Sequence, residues 1–436
     1  MPAQLSRRAR ERPPVFAGKD QAAAPAAPGE SRQAPPPPSR RSLRGLDWFV
    51  FFVADVQTGF GPFVSVFLTT QKWTQIDIGL VLSAAGFVSL IAQMPGGALV
   101  DAARSERLVA GIAVAVICLS AFAYAALPIF PVVLSASVGH ALASCVLGPA
   151  MAAISLGLVG HAGISERLGR NARFASIGTG LAAAVMAAVG YFSPRAVFIV
   201  TVGLLIPALI ALRSIAANEI DPERAHGAGS RRVRKPPTKP GELMQNRPLL
   251  IFAGCMLLFH LANAAMLPLV GSVVTMRSAR WATILIGACI VVPQLVVAAL
   301  SPAIGQRAQT WGRRPLLLIG LGVLPIRGLL FAFVTNPEAL VVIQVLDGIT
   351  AAVFSVMVPL VVADLTRGTG HFNLGQGIVG TFVGIGASLS ATLAGYLTDH
   401  FGSPVAFMTL AGIATFAFAV AVLYMPETRT VTEDTD

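Results

Sequence analysis

Long apolar runs, separated by short polar breaks, fill the chain from residue 46 to residue 425. Most runs hold about 20 residues or more, which is the length that an α-helix needs to cross about 30 Å of hydrocarbon. The pattern therefore predicts twelve membrane-spanning helices, and the even number puts both ends of the chain on the same side of the membrane. The predicted spans are approximately 46–70, 76–101, 107–128, 131–160, 172–192, 196–217, 248–275, 282–306, 314–335, 338–365, 374–398 and 404–425.

The first predicted span carries a polar interruption, the sequence FFVADVQTGFGPF at residues 51–63. Asp55 lies about nine residues into this helix, which is about 13 Å deep at about 1.5 Å per residue. An ionised carboxylate at the centre of a membrane costs at least about 2.5–3.5 kcal/mol, so such a residue faces a wet cavity, pairs with another group or holds a proton. Asp55 is therefore a candidate functional group.

The composition excludes an ordinary soluble protein. Of the 436 residues, 55% are hydrophobic and 12% charged, and the mean hydropathy is +0.72, whereas soluble domains are roughly 25% charged. The sequence thus predicts an all-α membrane protein. The four cysteines lie inside apolar runs, so we expect core residues rather than disulfides or metal ligands, and we predict no metal and no cofactor. The sequence has no HExxH, GxSxG or Walker motif, so an enzyme is the least favoured class.

Basic residues are distributed unevenly between the two sides of the predicted bundle. With the N-terminus inside, 27 of the 32 lysines and arginines lie in cytoplasmic segments and 4 on the opposite side. Basic residues in short cytoplasmic loops set the orientation of membrane proteins, so both termini are predicted to be cytoplasmic. The sequence pI near 10.4 therefore indicates helix anchors that contact anionic lipid, and no nucleic-acid partner is expected.

The same pattern divides the chain into five segments. Residues 1–45 are rich in Arg and Pro, lack an apolar stretch of signal-peptide length, and are predicted to be a disordered basic cytoplasmic arm. The basic, Pro-rich segment 218–247 is predicted to be a cytoplasmic linker between two six-helix bundles, 46–217 and 248–425. Residues 426–436 are predicted to be a cytoplasmic tail.

The two predicted bundles share weak sequence similarity at an offset of 206 to 208 residues. FFVADVQTGFGPF falls on LLFHLANAAMLPL, and GGALVDAARSER falls on IGQRAQTWGRRP. These matches pair Gln57 with Asn263, Pro62 with Pro268 and Gly97 with Gly305. Their common order predicts a duplicated six-helix unit, an arrangement found in transporters whose halves rock around a site in the middle of the membrane.

The six-plus-six plan, the central linker and a loop signature after the second and eighth spans together resemble the major facilitator superfamily over roughly residues 46–425. The signature in that family reads Gly-x-x-x-Asp-(Arg/Lys)-x-Gly-(Arg/Lys)-(Arg/Lys). The first copy here keeps Gly97 and Asp101, whereas the second keeps its glycines and arginines but has Gln309 at the acidic position. The resemblance implies twelve transmembrane helices in two halves, and a cytoplasmic gate that includes Gly97, Asp101, Arg104, Gly305, Arg313 and Arg314.

Two kinds of partner are open to Asp101 in such a gate. One is a basic residue of the connection between the fourth and fifth spans, such as Arg167, Arg170 or Arg173. The other is the set of free N–H groups that begins the eleventh span near Asn373, where the helix dipole favours an anion. Either contact would latch the cytoplasmic side.

The resemblance also implies that the first, fourth, seventh and tenth spans line a central cavity. These spans carry most of the buried polar groups, and the predicted substrate or proton site consists of Asp55, Gln57, His140, His260, Asn263, Gln344 and Asp347. Desolvation and neighbouring charges bring carboxylates and imidazoles into a range suited to proton binding. Two roles are open to Arg327 in the ninth span, a partner for Asp347 or a site for a substrate anion; because this helix is peripheral in the family, pairing or packing is favoured. Asp47 and Asp364, near helix ends, are expected to be hydrated caps.

The function that these features predict is secondary active transport of a small solute, coupled to protons, across a bacterial inner membrane. The chain resembles members of the family without an assigned substrate, and a monomer is expected. A multidrug or metabolite efflux antiporter, a uniporter and a transporter-like sensor or scaffold remain as alternatives. Against the drug exporters of the family stands the fifth span, which lacks their Gly-x-x-x-Gly-Pro-x-x-Gly-Gly signature.

Overall fold

A computed structural model of the chain describes residues 37–58, 61–228, 240–277, 282–334 and 336–429, and the regular elements in these ranges are all helices. The N-terminal part contains α1 (Arg40–Thr58), α2 (Gly61–Thr70), α3 (Gln75–Ala102), α4 (Glu106–Ala126), α5 (Phe130–Phe192), α6 (Pro194–Gly203), α7 (Leu205–Ser214), a 3₁₀ turn (Ala217–Glu219) and α8 (Pro222–Ala225). The C-terminal part contains α9 (Pro240–Leu243), α10 (Arg247–Asn263), α11 (Met266–Arg277), α12 (Ala282–Trp311), α13 (Arg313–Phe333), α14 (Pro337–Leu365), α15 (Phe372–Phe401) and α16 (Ser403–Tyr424).

The helix boundaries differ from the predicted segments at both ends of the first half. Helix α1 begins at Arg40, six residues before the predicted span, because the basic sequence RRSLRG continues the helix. Residues 1–36 of the predicted arm lie outside the described residues. The predicted linker contains two short helices, α8 and α9, with residues 229–239 between them outside the described ranges.

Local sequence signals explain where several helices begin. The Thr74 hydroxyl accepts a hydrogen bond from the Asp77 N–H at 3.1 Å, and the Ser105 hydroxyl accepts from the Leu108 N–H at 3.3 Å. The Asn246 side chain accepts from the Leu249 N–H at 3.2 Å, with a proline at the first helical turn. Each cap satisfies one of the N–H groups that the first turn of a helix leaves without a partner.

Helix α5 is two antiparallel segments joined at Gly160. This glycine has φ +66°, a conformation that side-chain-bearing residues rarely adopt. The Asn171 side-chain amide donates to the Ser155 hydroxyl at 2.8 Å, although residues 16 positions apart in a straight helix would be about 24 Å apart. The chain therefore reverses direction at Gly160, as predicted for the connection between the fourth and fifth spans.

Ten stretches of the described residues are long and apolar enough to cross a membrane. In this count α5, which reverses direction at Gly160, is a single stretch, and α1 and α2 are not included. The exact number of twelve spans stays a prediction. Helices α10 and α11 are separated by a turn at residues 264–265, whereas residues 59–60, between α1 and α2, lie outside the described residues. The turn between α10 and α11 falls just before Pro268, one of the two prolines that the repeat aligned.

Each half is built around its own apolar core. One cluster of buried side chains comes from residues 46–225, and the other comes mainly from residues 243–425 with a contribution from α5. We call α1–α7 the N-half and α10–α16 the C-half. Large apolar side chains also cover the outside, for example Phe87, Leu119 and Phe333 at 65%, 65% and 72% exposure. An apolar exterior over two packed cores is what a lipid environment requires.

The halves meet at two helix crossings near one end of the bundle. We call this the linker end; it contains the α3–α4 connection, the Gly160 turn and the start of α15. A side chain at Gly97 of α3 would overlap the Asn373 carbonyl of α15, and one at Gly305 of α12 would overlap the Ser165 carbonyl of α5. A shift of 208 residues carries Gly97 onto Gly305 and Ser165 onto Asn373.

A second pair of glycines repeats this relation one turn further along the helices. A side chain at Gly377 would overlap the Gln93 carbonyl, and the Cβ of a residue at Gly169 would lie 2.5 Å from the Ser301 carbonyl oxygen. The same shift of 208 carries Gly169 onto Gly377 and Gln93 onto Ser301. The offset predicted from the sequence is thus confirmed in the packing, since the two crossings exchange under it.

Candidate functional site

Asp101, in the last turn of α3, caps the N-terminal end of α15. Its carboxylate accepts hydrogen bonds from the Asn373 N–H at 3.1 Å, the Asn373 side-chain amide at 2.8 Å and the Leu374 N–H at 2.7 Å. The first N–H groups of a helix lack partners within it, and the helix dipole favours an anion there. Of the two partners expected from the sequence, Asp101 therefore takes the helix N-terminus, and its charge-assisted bonds join the two halves.

Gln309 occupies the equivalent place in the second crossing. Its side-chain amide donates to the Ser165 hydroxyl at 2.9 Å and to the Ala162 carbonyl at 3.2 Å, on the segment that opens the second part of α5. The glutamine at the family's acidic position therefore still bridges the halves, but through neutral hydrogen bonds. Neutral bonds are about half as strong as charge-assisted ones, so the two crossings differ in strength.

The linker segment that includes α8 packs against the same end. The His226 carbonyl accepts from the Phe372 N–H at 3.1 Å, and the Gly227 carbonyl accepts from the Gly368 N–H at 2.7 Å. The His226 imidazole Nε2 lies 3.0 Å from the Glu106 carboxylate at the start of α4. Hydrogen bonding to Glu106 raises the pKa of His226 above its ordinary 6.5, and Asp101 adds a smaller attraction. The sequence reasoning did not select His226, because nothing in the sequence places the linker beside α4.

The remaining predicted gate residues lie within the C-half or in solvent. The Arg313 Nε donates to Asp364 at 2.8 Å, and the backbone N–H groups of Arg313 and Arg314 donate to the Glu427 carboxylate at 2.8 and 3.0 Å. These contacts hold the start of α13 to α14 and to the chain end. Arg104 is exposed. Glu427, a carboxylate directly after the last apolar run, is a contact that the charge pattern of the tail alone could have suggested.

The expectation that Asp47 and Asp364 are hydrated caps is wrong. Asp47 is 2% exposed and accepts from Arg167 at 2.5 Å and from Arg170 at 2.6 Å. The Asp364 side chain is 8% exposed beside Arg313. Carboxylates this buried require cationic partners, because an unpaired charge costs several kcal/mol in such surroundings. Arg167 and Arg170 thus form ion pairs with Asp47 of α1 and are not the partners of Asp101.

A cavity of about 380 Å³ lies between the halves. The described residues that line it come from α1, α3 and α5 of the N-half and from α14 and α15 of the C-half. Leu168 and Gln376 of the lining are the sequence neighbours of Gly169 and Gly377, so the helix crossings form the floor of the cavity at the linker end. Its polar lining among described residues consists of Gln93, Asn171, Ser355 and Gln376, and the rest is apolar, Gly or Pro.

The predicted cavity residues lie elsewhere or outside the described residues. Asp55 and Gln57 belong to α1, but their side chains lie outside the described part of the structure. Arg327, 2% exposed, forms an ion pair with Asp347 and donates to the Asn263 side chain at 2.7 Å. The expected pairing of Arg327 with Asp347 is confirmed. This pair links α13, α14 and α10 inside the C-half.

The other three predicted residues are partly or fully buried within the halves. Gln344 is fully buried beside the Cys289 thiol, and the His260 ring packs against Phe259 at a centroid distance of 5.0 Å. His140 is partly buried on α5. None of these three is among the described residues that line the cavity. The resemblance implies a cavity lined by the first, fourth, seventh and tenth spans, whereas Gln93, Asn171 and Gln376 lie on α3, on the second part of α5 and on α15, so the sequence did not single them out.

Two helical halves that enclose a cavity and close over it at one end define a membrane transporter rather than an enzyme. The family model described as Major Facilitator Superfamily matches residues 48–277 and again residues 252–436. The chain belongs to the major facilitator superfamily and is an integral, multi-pass membrane protein. The two successive matches agree with the duplication seen in the helix crossings.

Relatives support the same family, and solved structures support the same fold. Two proteins of Mycobacterium tuberculosis, from strains CDC 1551 and H37Rv, are each 40% identical over 396 residues, covering 89% of this chain and 94% of the relative, and are described as uncharacterized MFS-type transporters. The human organic anion transporter MFSD10 (TETRAN) is similar with a TM-score of 0.65 at 17% identity, over 88% of this chain and 100% of that one. FucP in the outward conformation is similar with a TM-score of 0.64 at 16% identity, over 88% and 98%. At these identities the structural similarity shows the fold alone.

Proposed function

We propose that the protein is a secondary active transporter that moves a small solute by alternating access and couples this movement to protons. The observation that supports this most directly is the cavity of about 380 Å³ between two halves that touch backbone to backbone at one end. Alternating access needs a central site and a closure on each side that forms in turn. The glycine crossings and Asp101 have the properties of one such closure.

In this proposal the linker end faces the cytoplasm of a bacterial cell, and the protein is a monomer in the cytoplasmic membrane. The excess of basic residues in the segments of this end supports the orientation. The gate consists of Gly97, Asp101, Gly305 and Gln309, with His226 as an additional contact. Arg313 and Arg314 support it indirectly by fixing α13, and Arg104 faces solvent.

Asp55 is the proposed proton-binding residue. Asp347 is already paired with Arg327, so its charge is neutralised within the C-half. Asp55 has no counterpart in the second half, since the repeat aligns Gln57 with Asn263 but gives Asp55 no acidic partner. Asp55 is thus an acid within the membrane that the repeated scaffold does not require, and acids in such positions commonly bind protons. The roles of Gln57, His140, His260, Asn263 and Gln344 as supporting polar groups belong to the same proposal.

The test is transport by purified protein in lipid vesicles. Vesicles are supplied with a hot-water extract of bacterial cells, with or without an imposed pH gradient, and their contents are analysed by mass spectrometry. We expect at least one solute to accumulate or leave faster when the gradient is present, and Asp55→Asn to abolish that dependence. Asp399→Asn, an exposed acid at the far end of α15, is the matched control. Full gradient dependence in Asp55→Asn would contradict the role of Asp55.

A further inference from the structure

The polar lining of the cavity has a composition that bears on the solute. Of the seventeen described lining residues, three are side-chain amides, one is a hydroxyl and none carries a charge. An amide offers two N–H donors and a carbonyl acceptor, so these groups can both donate to and accept from a bound molecule. They are spread over both halves: Gln93 and Asn171 in the N-half, Ser355 and Gln376 in the C-half.

One of these amides is fixed by a buried ion cluster beneath it. Asn171 accepts from the Arg167 Nε at 2.7 Å and donates to the Ser155 hydroxyl at 2.8 Å. Arg167 itself is 4% exposed and is held by Asp47 at 2.5 Å. Asp47 is shared with Arg170, whose side chain is 55% exposed to solvent, so Asp47 partly balances the buried charge of Arg167. Of this cluster, the group that lines the cavity is the neutral amide of Asn171, whose orientation is fixed by Arg167 and Ser155.

The other two amides, Gln93 and Gln376, lie on the two helices of the α3–α15 crossing. A side chain at Gly377 would overlap the Gln93 carbonyl, and one at Gly380 would lie 2.7 Å from the Gln93 side-chain oxygen. Gln376 is the residue next to Gly377. Gln93 and Gln376 thus lie on facing helices where the two halves touch, and a solute bound there would contact both halves at once.

The size of the space limits the solute. A volume of about 380 Å³ corresponds to about a dozen waters, since each water occupies about 30 Å³ in the liquid. An ion transferred to such a space without a countercharge loses hydration that the described lining does not replace. A neutral molecule with several hydroxyl or amide groups can exchange part of its water hydrogen bonds for those of Gln93 and Gln376. Asn171 and Ser355 add fewer groups, because Asn171 already bonds Arg167 and Ser155, and the Ser355 hydroxyl donates to the Ala352 carbonyl at 3.0 Å.

We infer that this cavity binds an uncharged, small, multiply hydroxylated or amide-bearing solute, held between Gln93 and Asn171 of one half and Ser355 and Gln376 of the other. The inference rests on the proposed transport function, in which the proton is carried separately from the solute. It adds the chemical class of the cargo, which the family and the relatives leave open.

The test separates solutes by charge. The bacterial extract is divided by ion exchange into neutral, anionic and cationic fractions, and each is offered to vesicles that contain the wild-type protein or one of two variants, Gln93→Leu and Gln376→Leu. We expect transported solutes to come from the neutral fraction. For each transported solute, we expect KM to rise by about 2- to 12-fold in each variant, since each removes about one hydrogen-bonding group. Gln245→Leu, an exposed glutamine outside the cavity, is the control and should leave KM unchanged.

The outcomes separate this inference from the proposed function. Transport only from the anionic or cationic fraction would overturn the neutral class and leave the protein a transporter. Neutral transport with an unchanged KM in both variants would overturn the assignment of the amides. Transport from none of the fractions, in either direction and with either gradient, would overturn the proposed function and this inference with it.

Discussion

The bond between Asp101 and the start of α15 is the closing contact whose strength can be worked out most directly. In Asp101→Asn the side chain keeps its shape but loses its charge, and one of its two acceptor oxygens becomes an N–H donor. That donor then faces the Asn373 and Leu374 N–H groups, which lie 2.7 to 3.1 Å from the present carboxylate. At least one of them is left without an acceptor.

The magnitude follows from hydrogen bonds to charged groups, which contribute about 1.5–3 kcal/mol each. If the bond exists only when the linker end is closed, its loss lowers the ratio of closed to open molecules by about 10- to 150-fold, at about 1.4 kcal/mol per tenfold. The Gln309 bridge is neutral and stays intact in this variant. The closed state is therefore weakened at one of its two crossings.

The assay is a distance measurement by double electron–electron resonance between spin labels at Leu108 and Trp311. These residues are 64% and 54% exposed and lie at the linker end on opposite halves, and the four native cysteines are buried. We expect a longer distance to gain population in Asp101→Asn and not in Asp399→Asn. Identical distance distributions in both variants would refute the reasoning, because the charge at Asp101 would then contribute nothing to closure.

Three further predictions follow from other contacts. Gly97→Ala should weaken closure by about 1–3 kcal/mol, since the new Cβ would overlap the Asn373 backbone, and the same label pair should report it. The raised pKa of His226 means that the protonated imidazole is favoured at the closed linker end. Its contribution to closure is therefore full below about pH 6.5 and fades as the pH rises through the raised pKa. This pH dependence of closure should be absent in His226→Gln. Arg327→Met should destabilise the protein by up to about 3–5 kcal/mol in thermal unfolding, because it leaves the partly buried Asp347 without its partner inside the C-half.

Matched variants make each of these predictions refutable. Gly86→Ala adds the same methyl group to the same helix where nothing lies within 4 Å, and an equal effect there would remove the steric explanation. A pH-dependent distance that persists in His226→Gln would assign the titration to another group. The double variant with Asp347→Asn and Arg327→Met should recover part of the lost stability; a loss equal to the sum of the two single losses would mean that the residues are not coupled.

The sequence by itself determined the features that depend on lipid as the solvent. Because an apolar helix of about 20 residues is the simplest way to cross hydrocarbon, the apolar runs gave nearly all the helices and the connection at Gly160. The repeat offset and the pairing of Arg327 with Asp347 followed from similar constraints. The functional roles of Asp55 and of the other predicted polar residues remain predictions.

The tertiary structure decided which polar groups meet, because charge partners far apart in sequence are brought together only by packing. The position of Asp47 near a helix end predicts a hydrated carboxylate, yet in the structure it is paired with Arg167, which is 120 residues away in sequence. Asp101 had arginines as equally plausible partners, and only the crossing at Gly97 places it on the start of α15. The amides of the cavity and His226 of the linker are isolated polar residues in the sequence, and only the packing of the helices gives each of them its neighbours.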